Sequence, residues 1–281
     1  MKSTFKTRFA AILLASLWAS TAWSYDPLNR EEYLAKIKEA KALYEDRCKN
    51  VAGIKIYKTV PDVEGLLLMK IRPERTDREL ADPNWPGAAF GREARGNGYI
   101  ESFLGSEHRV VEKDGSLSRQ RGYISPRYPQ KRDYIPGREV DLPGYRWVEL
   151  PDPKDGQRYR YSARYEERWQ TDKRYLKGDF WFSLGKTPSP SKTPPRYAVT
   201  FEDHVIPEER ALWVASSTVK VLDLKTNEVL GEMTIYAMSY IHAPRQSMPW
   251  LNHSVCPVVP GTDGQDTRKF VDQILIPKKE Q

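Results

Sequence analysis

The residues with the clearest chemical potential are arginines that alternate with tyrosines over positions 158–169. If this segment is a β-strand, its side chains point alternately to opposite faces, so that the aromatic rings share one face and the arginines share the other. Guanidinium groups suit phosphate and carboxylate, and Arg and Tyr are typical of the energetic centres of protein–protein interfaces. The pattern therefore predicts an anion-binding face that consists of Arg158, Arg160, Arg164 and Arg168. The same pattern is also typical of a half-buried structural strand whose arginine face is simply solvated.

The distribution of charge favours a contact role for this region. The sequence has 45 Lys and Arg against 38 Asp and Glu, a formal charge of +7. Residues 119–168 contain 12 of these cations and 8 of the acids, and the remaining excess of three cations lies within the first 24 residues. The predicted face is extended by further arginines that alternate with tyrosines: Arg119, Arg121, Arg127 and Arg132. We expect an acidic protein or an anionic envelope component as partner, and no nucleic acid, because the charge is modest and no nucleic-acid-binding motif accompanies it.

Several segments resemble catalytic or cofactor-binding motifs, but each lacks a residue or a local structure that its motif requires. The Gly-Lys-Thr at 185–187 lacks the glycine that a P-loop needs five residues earlier. Ser217 and Lys220 match a Ser-x-x-Lys motif, but in a strand these two positions point to opposite faces. The four histidines are scattered along the chain, so we predict no metal site and no cofactor. The adjacent Asp203 and His204, or two distant carboxylates brought face to face, leave a hydrolase as an alternative.

The first 24 residues predict a cleaved signal peptide. Lys2, Lys6 and Arg8 precede an apolar run, and Ala22 and Ser24 offer small side chains at the two positions that a signal peptidase reads. This run of about ten apolar residues is too short to cross a bilayer, and no later segment is apolar enough, so we expect no transmembrane anchor. The sequence therefore predicts export to the periplasm, with secretion as the other destination.

The sequence contains two cysteines, Cys48 near one end and Cys256 near the other. In an oxidising compartment two such cysteines pair most simply as a disulfide. The alternative is a reactive thiol or a metal ligand, because His253 lies three residues before Cys256. A metal site normally needs three or four protein ligands, and the sequence has no second group of Cys and His to supply them.

A helix over residues 29–49 is predicted to dock on a β-rich body. Its apolar residues recur at spacings of three and four and form one stripe, Tyr33, Ile37, Ala40, Tyr44 and Cys48. Beyond the helix the apolar period changes to two, which predicts strands at 54–60, 66–71, 197–201, 219–222 and 229–240 and hairpin turns at Asp114-Gly115 and Asp155-Gly156. Residues 72–98 carry many prolines and glycines with little periodicity and predict a long loop.

These elements predict an α+β fold, a mostly antiparallel β-sheet or open barrel with one N-terminal helix docked on it. The expected organisation is a signal peptide at 1–24, a helix and β-rich region at 25–186, a Pro-rich connector at 187–195 and a C-terminal β-rich region at 196–281. We expect the two β-rich regions to pack together as one domain.

Several motifs in the C-terminal third form a recognisable pattern. They are Arg196-Tyr-Ala-Val-Thr-Phe-Glu-Asp203, Arg210-x-x-Trp213, Val219-x-Val-x-Asp223 with residues 226–232, and Pro249-Trp250 with Cys256-Pro257. This pattern resembles exported proteins of Gram-negative bacteria that have no assigned activity. The resemblance implies export and a β-rich fold, and it implies no chemistry.

The sequence thus predicts an exported, periplasmic, non-catalytic binding protein. Its Arg/Tyr-rich strand face is expected to contact an anionic envelope component or an acidic protein partner. The alternative is a periplasmic hydrolase that acts on envelope glycan or lipid.

Overall fold

The computed structural model describes residues 30–104, 107–111, 117–121, 144–174, 180–242, 248–259, 264 and 266–278. At 107–111, 117–121, 164–168 and 180–182 the description covers the backbone alone. The predicted signal peptide at 1–24 and the predicted turn at Asp114-Gly115 lie outside the described residues.

The chain forms six helices and thirteen strands in its described part. The helices are α1 Arg30–Asn50, α2 Asp77–Leu80, α3 Asn97–Leu104, α4 Arg168–Thr171, α5 Pro207–Ala211 and α6 Asp266–Asp272, and 3-10 turns occur at Pro86–Phe90 and Pro249–Leu251. The strands are β1 Gly53–Ile56, β2 Val60–Val63, β3 Gly65–Leu68, β4 Glu107–Val111, β5 Leu117–Arg121, β6 Trp147–Pro151, β7 Arg158–Glu167, β8 Phe180–Pro188, β9 Tyr197–His204, β10 Val214–Asp223, β11 Glu228–Ser239, β12 His253–Cys256 and β13 Leu275–Pro277.

Nine of the strands form one large mixed sheet in the order β1-β11-β10-β9-β3-β6-β7-β8, with β12 also paired to β11. β3 runs parallel to both of its neighbours, β6 and β9, and the other described pairs of this sheet are antiparallel. The sheet is open, since β1 and β8 lie at its two ends. The predicted fold is confirmed: the chain is α+β, its sheet is mostly antiparallel, and a helix docks near the N-terminus. Strands from both sides of the Pro-rich segment at 187–195 belong to this sheet, and β8 itself runs to Pro188.

Helix α1 lies against β10 and β11 through its predicted apolar stripe. Ala40 is fully buried and packs with Val214, Tyr236 and Met238 in a cluster of its own. Because this cluster contains few buried apolar side chains, apolar packing alone holds α1 weakly.

Two specific contacts fix the C-terminal half of α1. The predicted disulfide is confirmed, since Cys48 and Cys256 are joined with their Cα atoms 5.7 Å apart. The Arg47 guanidinium donates from Nε to the Glu209 carboxylate at 2.7 Å, and the Glu209 side chain is 4% exposed. Cys256 ends β12, so the disulfide attaches α1 to the strand that flanks β11.

The segment at 72–98 differs from the long loop that its sequence predicts. It forms α2, a 3-10 turn and the start of α3, and it buries Trp85, Ala88 and Phe90 in the main core. Helical turns of four or five residues are too short to show a repeating apolar period, which explains the prediction of a loop. The segment covers the sheet and positions several arginines.

Candidate anion-binding face

The predicted Arg/Tyr strand is β7, which lies between β6 and β8. Tyr161 and Ala163 are buried, and Tyr159 packs against the core while partly buried. Arg158 and Arg160 are partly exposed on the opposite face. The alternation of an aromatic face and an arginine face is therefore observed at these five positions.

The strand is shorter than its sequence predicts. Its last pair in register joins Glu167 to Phe180, the first residue of β8. Beyond this pair the strand has no partner in β8, and Arg168 begins α4. The strand predicted over 158–169 is therefore two residues too long, and the backbone of Arg168 belongs to α4 instead of β7.

A buried carboxylate that the sequence analysis missed holds the two described arginines of this face. Glu149 lies on β6 directly opposite Arg160 and is 1% exposed. Its Oε2 accepts from Arg158 Nε at 2.7 Å, and its Oε1 accepts from Arg160 Nε at 3.1 Å and from Arg160 Nη2 at 2.9 Å. The Ser189 hydroxyl donates to Oε2 at 2.9 Å, which brings the start of the Pro-rich segment into the same cluster.

Further contacts fix the two guanidinium groups in place. Arg158 Nη2 donates to the carbonyl oxygens of Ser191 and Thr193. The Arg160 guanidinium lies over the Trp147 ring, 3.9 Å from its centre. The two arginines and one carboxylate carry a formal excess of one positive charge, and the arginine side chains remain 18% and 29% exposed.

The other predicted members of the face are only partly placed. Arg164 lies on β7 between the described ends of the strand, but its side chain lies outside the described part. Arg119 and Arg121 lie on β5, which pairs with β4 in a separate two-stranded sheet, and their side chains are likewise outside it. Arg127 and Arg132 lie outside the described residues. Among the described side chains, the structure therefore brings together Arg158 and Arg160.

The adjacent Asp203 and His204 separate on β9, as neighbours on a strand must. The Asp203 carboxylate accepts from the buried Arg72 guanidinium at 3.1 Å. The His204 Nε2 lies 3.0 Å from the Thr218 hydroxyl. These two residues therefore do not form an acid–histidine pair. No group of three or more His, Cys, Asp and Glu side chains in the described ranges is arranged to hold a metal ion.

His253, the predicted alternative partner of Cys256, is a buried residue of β12. It is 7% exposed, and its Nδ1 has no hydrogen-bond partner among the described residues. Burial lowers the pKa of His253 to about 4, and the positive charge of Arg92 acts in the same direction. Cys256 is held in the disulfide, so the two residues do not form a ligand pair.

Replacement of His253 by Gln is expected to reduce the sensitivity of the protein to acid. The folded protein binds a proton on His253 only near pH 4, whereas an unfolded chain binds it near pH 6.5. As the pH falls between these values the unfolded state takes up the proton first, so this residue makes the free energy of unfolding fall by about 2–3 kcal/mol. Urea unfolding at pH 7, 5.5 and 4 should show that the free energy of unfolding falls more steeply with pH for the parent than for His253→Gln. Parallel losses in both proteins would contradict this assignment.

In the described part of the chain, none of the helices has the length and apolar character needed to cross a membrane. Comparison with protein-family models, curated proteins and solved structures found no match to this chain. The resemblance of the C-terminal third to exported proteins of Gram-negative bacteria is therefore wrong, and its motifs belong to local features of β9, α5, β10, β11, the 3-10 turn at Pro249–Leu251 and β12 in this fold.

Proposed function

We propose that this chain is an exported, periplasmic, non-catalytic binding protein, and that its Arg/Tyr-rich region at 119–168 contacts an anionic envelope component or an acidic protein partner. The observation that carries the proposal is the cluster of Arg158 and Arg160 on Glu149. One buried carboxylate orients two guanidinium groups and leaves a formal charge of +1 at a partly exposed surface.

The geometry supports binding in a second way. Arg158 and Arg160 make their hydrogen bonds through Nε and Nη2, and among the described residues their Nη1 groups have no hydrogen-bond partner. Guanidinium groups that are already held in one orientation lose little conformational freedom when they bind an oxyanion. An incoming phosphate or carboxylate would therefore meet donors that are already in position.

Export is supported by the signal-like first 24 residues and by the disulfide. Disulfides persist in oxidising compartments such as the bacterial periplasm. The hydrolase alternative loses its best described candidate, because Asp203 and His204 face different partners. These observations support binding as the proposed function.

The test uses arginines outside the Glu149 cluster. Removal of Arg158 or Arg160 would leave a buried carboxylate with fewer partners and would destabilise the fold, which would obscure any effect on binding. The variant that replaces Arg119, Arg121, Arg127 and Arg132 with Gln avoids this cluster. A matched control replaces four exposed lysines of α1 with Gln and so removes the same formal charge elsewhere. These lysines are Lys36, Lys38, Lys41 and Lys49.

We expect the arginine variant to bind at least tenfold more weakly than the control to vesicles that contain 30% anionic phospholipid, because each cation near such a surface contributes about 1 kcal/mol. Binding is measured by co-sedimentation at several salt concentrations. A parallel pull-down from envelope extract separates the two partner classes, since an acidic protein would be retained by the parent and lost by the arginine variant. Equal behaviour of the arginine and lysine variants in both assays would remove Arg119, Arg121, Arg127 and Arg132 from the proposed face, and a parent that binds neither the vesicles nor an envelope protein would overturn the proposed function.

A further inference from the structure

A pocket of about 520 Å³ lies between the segment at 74–95 and the 3-10 turn at Pro249–Leu251. Three arginines and three acidic residues contribute to its lining, Arg75, Arg92, Arg95, Glu74, Asp77 and Glu93. Apolar side chains from Leu80, Met248 and Leu251 complete the wall. None of these residues belongs to the Arg/Tyr-rich region, so this pocket is a different site from the proposed face.

Arg95 is the buried cation of this pocket, with 6% of its surface exposed. Its Nη2 donates to the carbonyl oxygens of Gly87 at 3.1 Å and Phe90 at 2.9 Å, and its Nη1 donates to the carbonyl oxygen of Pro73 at 3.3 Å. The guanidinium also lies over the Trp85 ring, 4.5 Å from its centre. These partners are all neutral, and the Nε group has no hydrogen-bond partner in the described part of the chain.

The backbone at Gly87 packs closely against the Trp85 ring and the Arg95 guanidinium. A Cβ atom at Gly87 would lie 2.7 Å from the Trp85 ring and 3.0 Å from Arg95 Nη2. Any larger residue at this position would therefore displace the ring or the guanidinium. The chain is built to keep a charged side chain buried here, although burial of an unpaired charge is costly.

The two other arginines of the pocket also lack acidic partners. Arg75 Nη1 donates to the Glu93 carbonyl oxygen at 3.4 Å, and Arg92 Nε donates to the Leu251 carbonyl oxygen at 3.0 Å. Across the described ranges, no ion pair joins a carboxylate to Arg75, Arg92 or Arg95, although surface arginines elsewhere do form such pairs.

The acidic residues that share the pocket do not neutralise these arginines directly. Glu93 is 2% exposed, and its two carboxylate oxygens accept from the backbone N–H groups of Asp266 at 3.1 Å and Thr267 at 3.2 Å. Burial raises the pKa of Glu93 and so weakens it as a counter-charge. Glu74 and Asp77 are exposed to solvent.

Burial, together with the charges of Arg72 and Arg75, lowers the pKa of Arg95 to about 10. The same neighbours would therefore favour an anion beside Arg95. Arg72, the nearby buried arginine, already has a carboxylate partner in Asp203.

We propose that this pocket binds an organic oxyanion, a molecule whose carboxylate or phosphate group is held by Arg75, Arg92 and Arg95 and whose body lies against Leu80, Met248 and Leu251. Guanidinium groups bind both headgroups through paired N–H donors. The pocket volume exceeds that of an inorganic anion and lies within the range of small-molecule sites. The apolar part of the wall would then contact the body of the bound molecule.

The test measures affinity on the full mature chain with two probes, inorganic phosphate and benzoate, at constant ionic strength by isothermal titration. We expect saturable binding of at least one probe to the parent. Arg75→Gln together with Arg92→Gln should weaken that binding at least tenfold, because two of the three donors are removed. Arg78→Gln is the matched control, since Arg78 is an exposed arginine of α2 that does not line the pocket. It should change the affinity less than twofold.

A second variant gives an effect in the opposite direction, which loss of folding cannot mimic. Glu74→Gln removes an exposed negative charge from the pocket and should tighten binding of the same probe two- to fivefold. The tighter of the two probes identifies the headgroup. The absence of saturable binding for both probes, equal losses in the pocket variant and in Arg78→Gln, or no gain in Glu74→Gln would overturn the proposal. Because the arginines at 119–132 are intact in every variant, failure here leaves the proposed binding face untouched.

Discussion

Replacement of both Cys48 and Cys256 with Ser is expected to lower the free energy of unfolding by about 2–5 kcal/mol. The disulfide closes a loop across 208 positions of sequence, and a crosslink over so long a loop restricts the unfolded chain strongly. In the folded state it also attaches α1, whose apolar contacts are confined to one small cluster around Ala40. The loss is measured by urea unfolding of the parent and of the double variant.

The effect should be concentrated on α1 before global unfolding. Without the disulfide, the described contacts of the helix include the Arg47–Glu209 ion pair, the Tyr33 hydroxyl on the Tyr240 carbonyl oxygen and the Ala40 cluster. Amide hydrogen exchange should therefore accelerate across residues 30–50 well before it does in β10 and β11, because helices with few tertiary contacts open locally. The parent treated with a reductant under native conditions is the control and should give the same pattern. Uniform exchange changes across the sheet would contradict a local role for the disulfide.

The fold class could be predicted because its elements carry strong local patterns. The stripe through Ala40 and Cys48 defines one helix face, and alternation in β7, β9 and β10 defines strands. Sheet order could not be predicted in the same way, because pairing depends on contacts between distant segments. One signal was available: Leu66, Leu67 and Leu68 are all buried, and such continuous apolar runs are typical of strands with parallel neighbours. β3 is the strand with two parallel neighbours in the described sheet.

The cluster on Glu149 shows why a site can be missed although its face is predicted. The Asp155-Gly156 signal, taken as a two-residue turn, would place Glu149 opposite Ser162. In the structure a longer turn at 153–156 joins β6 to β7, with Asp152 N–H donating to the Gln157 carbonyl oxygen at 2.8 Å. This register places Glu149 opposite Arg160. The alternation of residues along a strand thus predicts the correct face of the sheet for each side chain. The residue opposite each arginine depends instead on the length of the turn. The Arg95 pocket was missed for another reason, since it is built from short turns that have no period.

The same cluster connects stability with the proposed binding. An arginine pair that served binding alone would be held by no buried group, and its loss would leave the fold unchanged. Here the buried Glu149 joins β6 and β7 to the start of the Pro-rich segment through Arg158, Arg160 and Ser189. The two arginines therefore stabilise the sheet while their side chains stay partly exposed, so changes to this cluster must be judged first by their effect on folding.

Replacement of Glu149 with Gln is expected to lower the free energy of unfolding by about 3–5 kcal/mol, the usual cost of removing one partner from a buried ion pair. The amide keeps the size of the side chain but loses the charge that balances Arg158 and Arg160, which are then left as two neighbouring cations that are largely buried. Urea unfolding of the parent and of Glu149→Gln measures the loss. Glu64→Gln is the matched control, because Glu64 also contacts two cations, Arg146 and Lys278, but its side chain is 42% exposed.

The two carboxylates should differ because of their exposure. Water screens the Glu64 ion pairs, so their loss costs little, whereas the buried Glu149 pairs are not screened in this way. Glu64→Gln is therefore expected to cost far less than Glu149→Gln. Arg158→Gln completes a double-mutant cycle: if the charges act as one unit, Glu149→Gln and Arg158→Gln together should cost clearly less than the sum of the two single changes. Additive losses, or equal losses for Glu149→Gln and Glu64→Gln, would show that Glu149 does not hold the arginine face in place. A strong coupling would instead show that Glu149 and the two arginines hold β6 and β7 together as one charged unit.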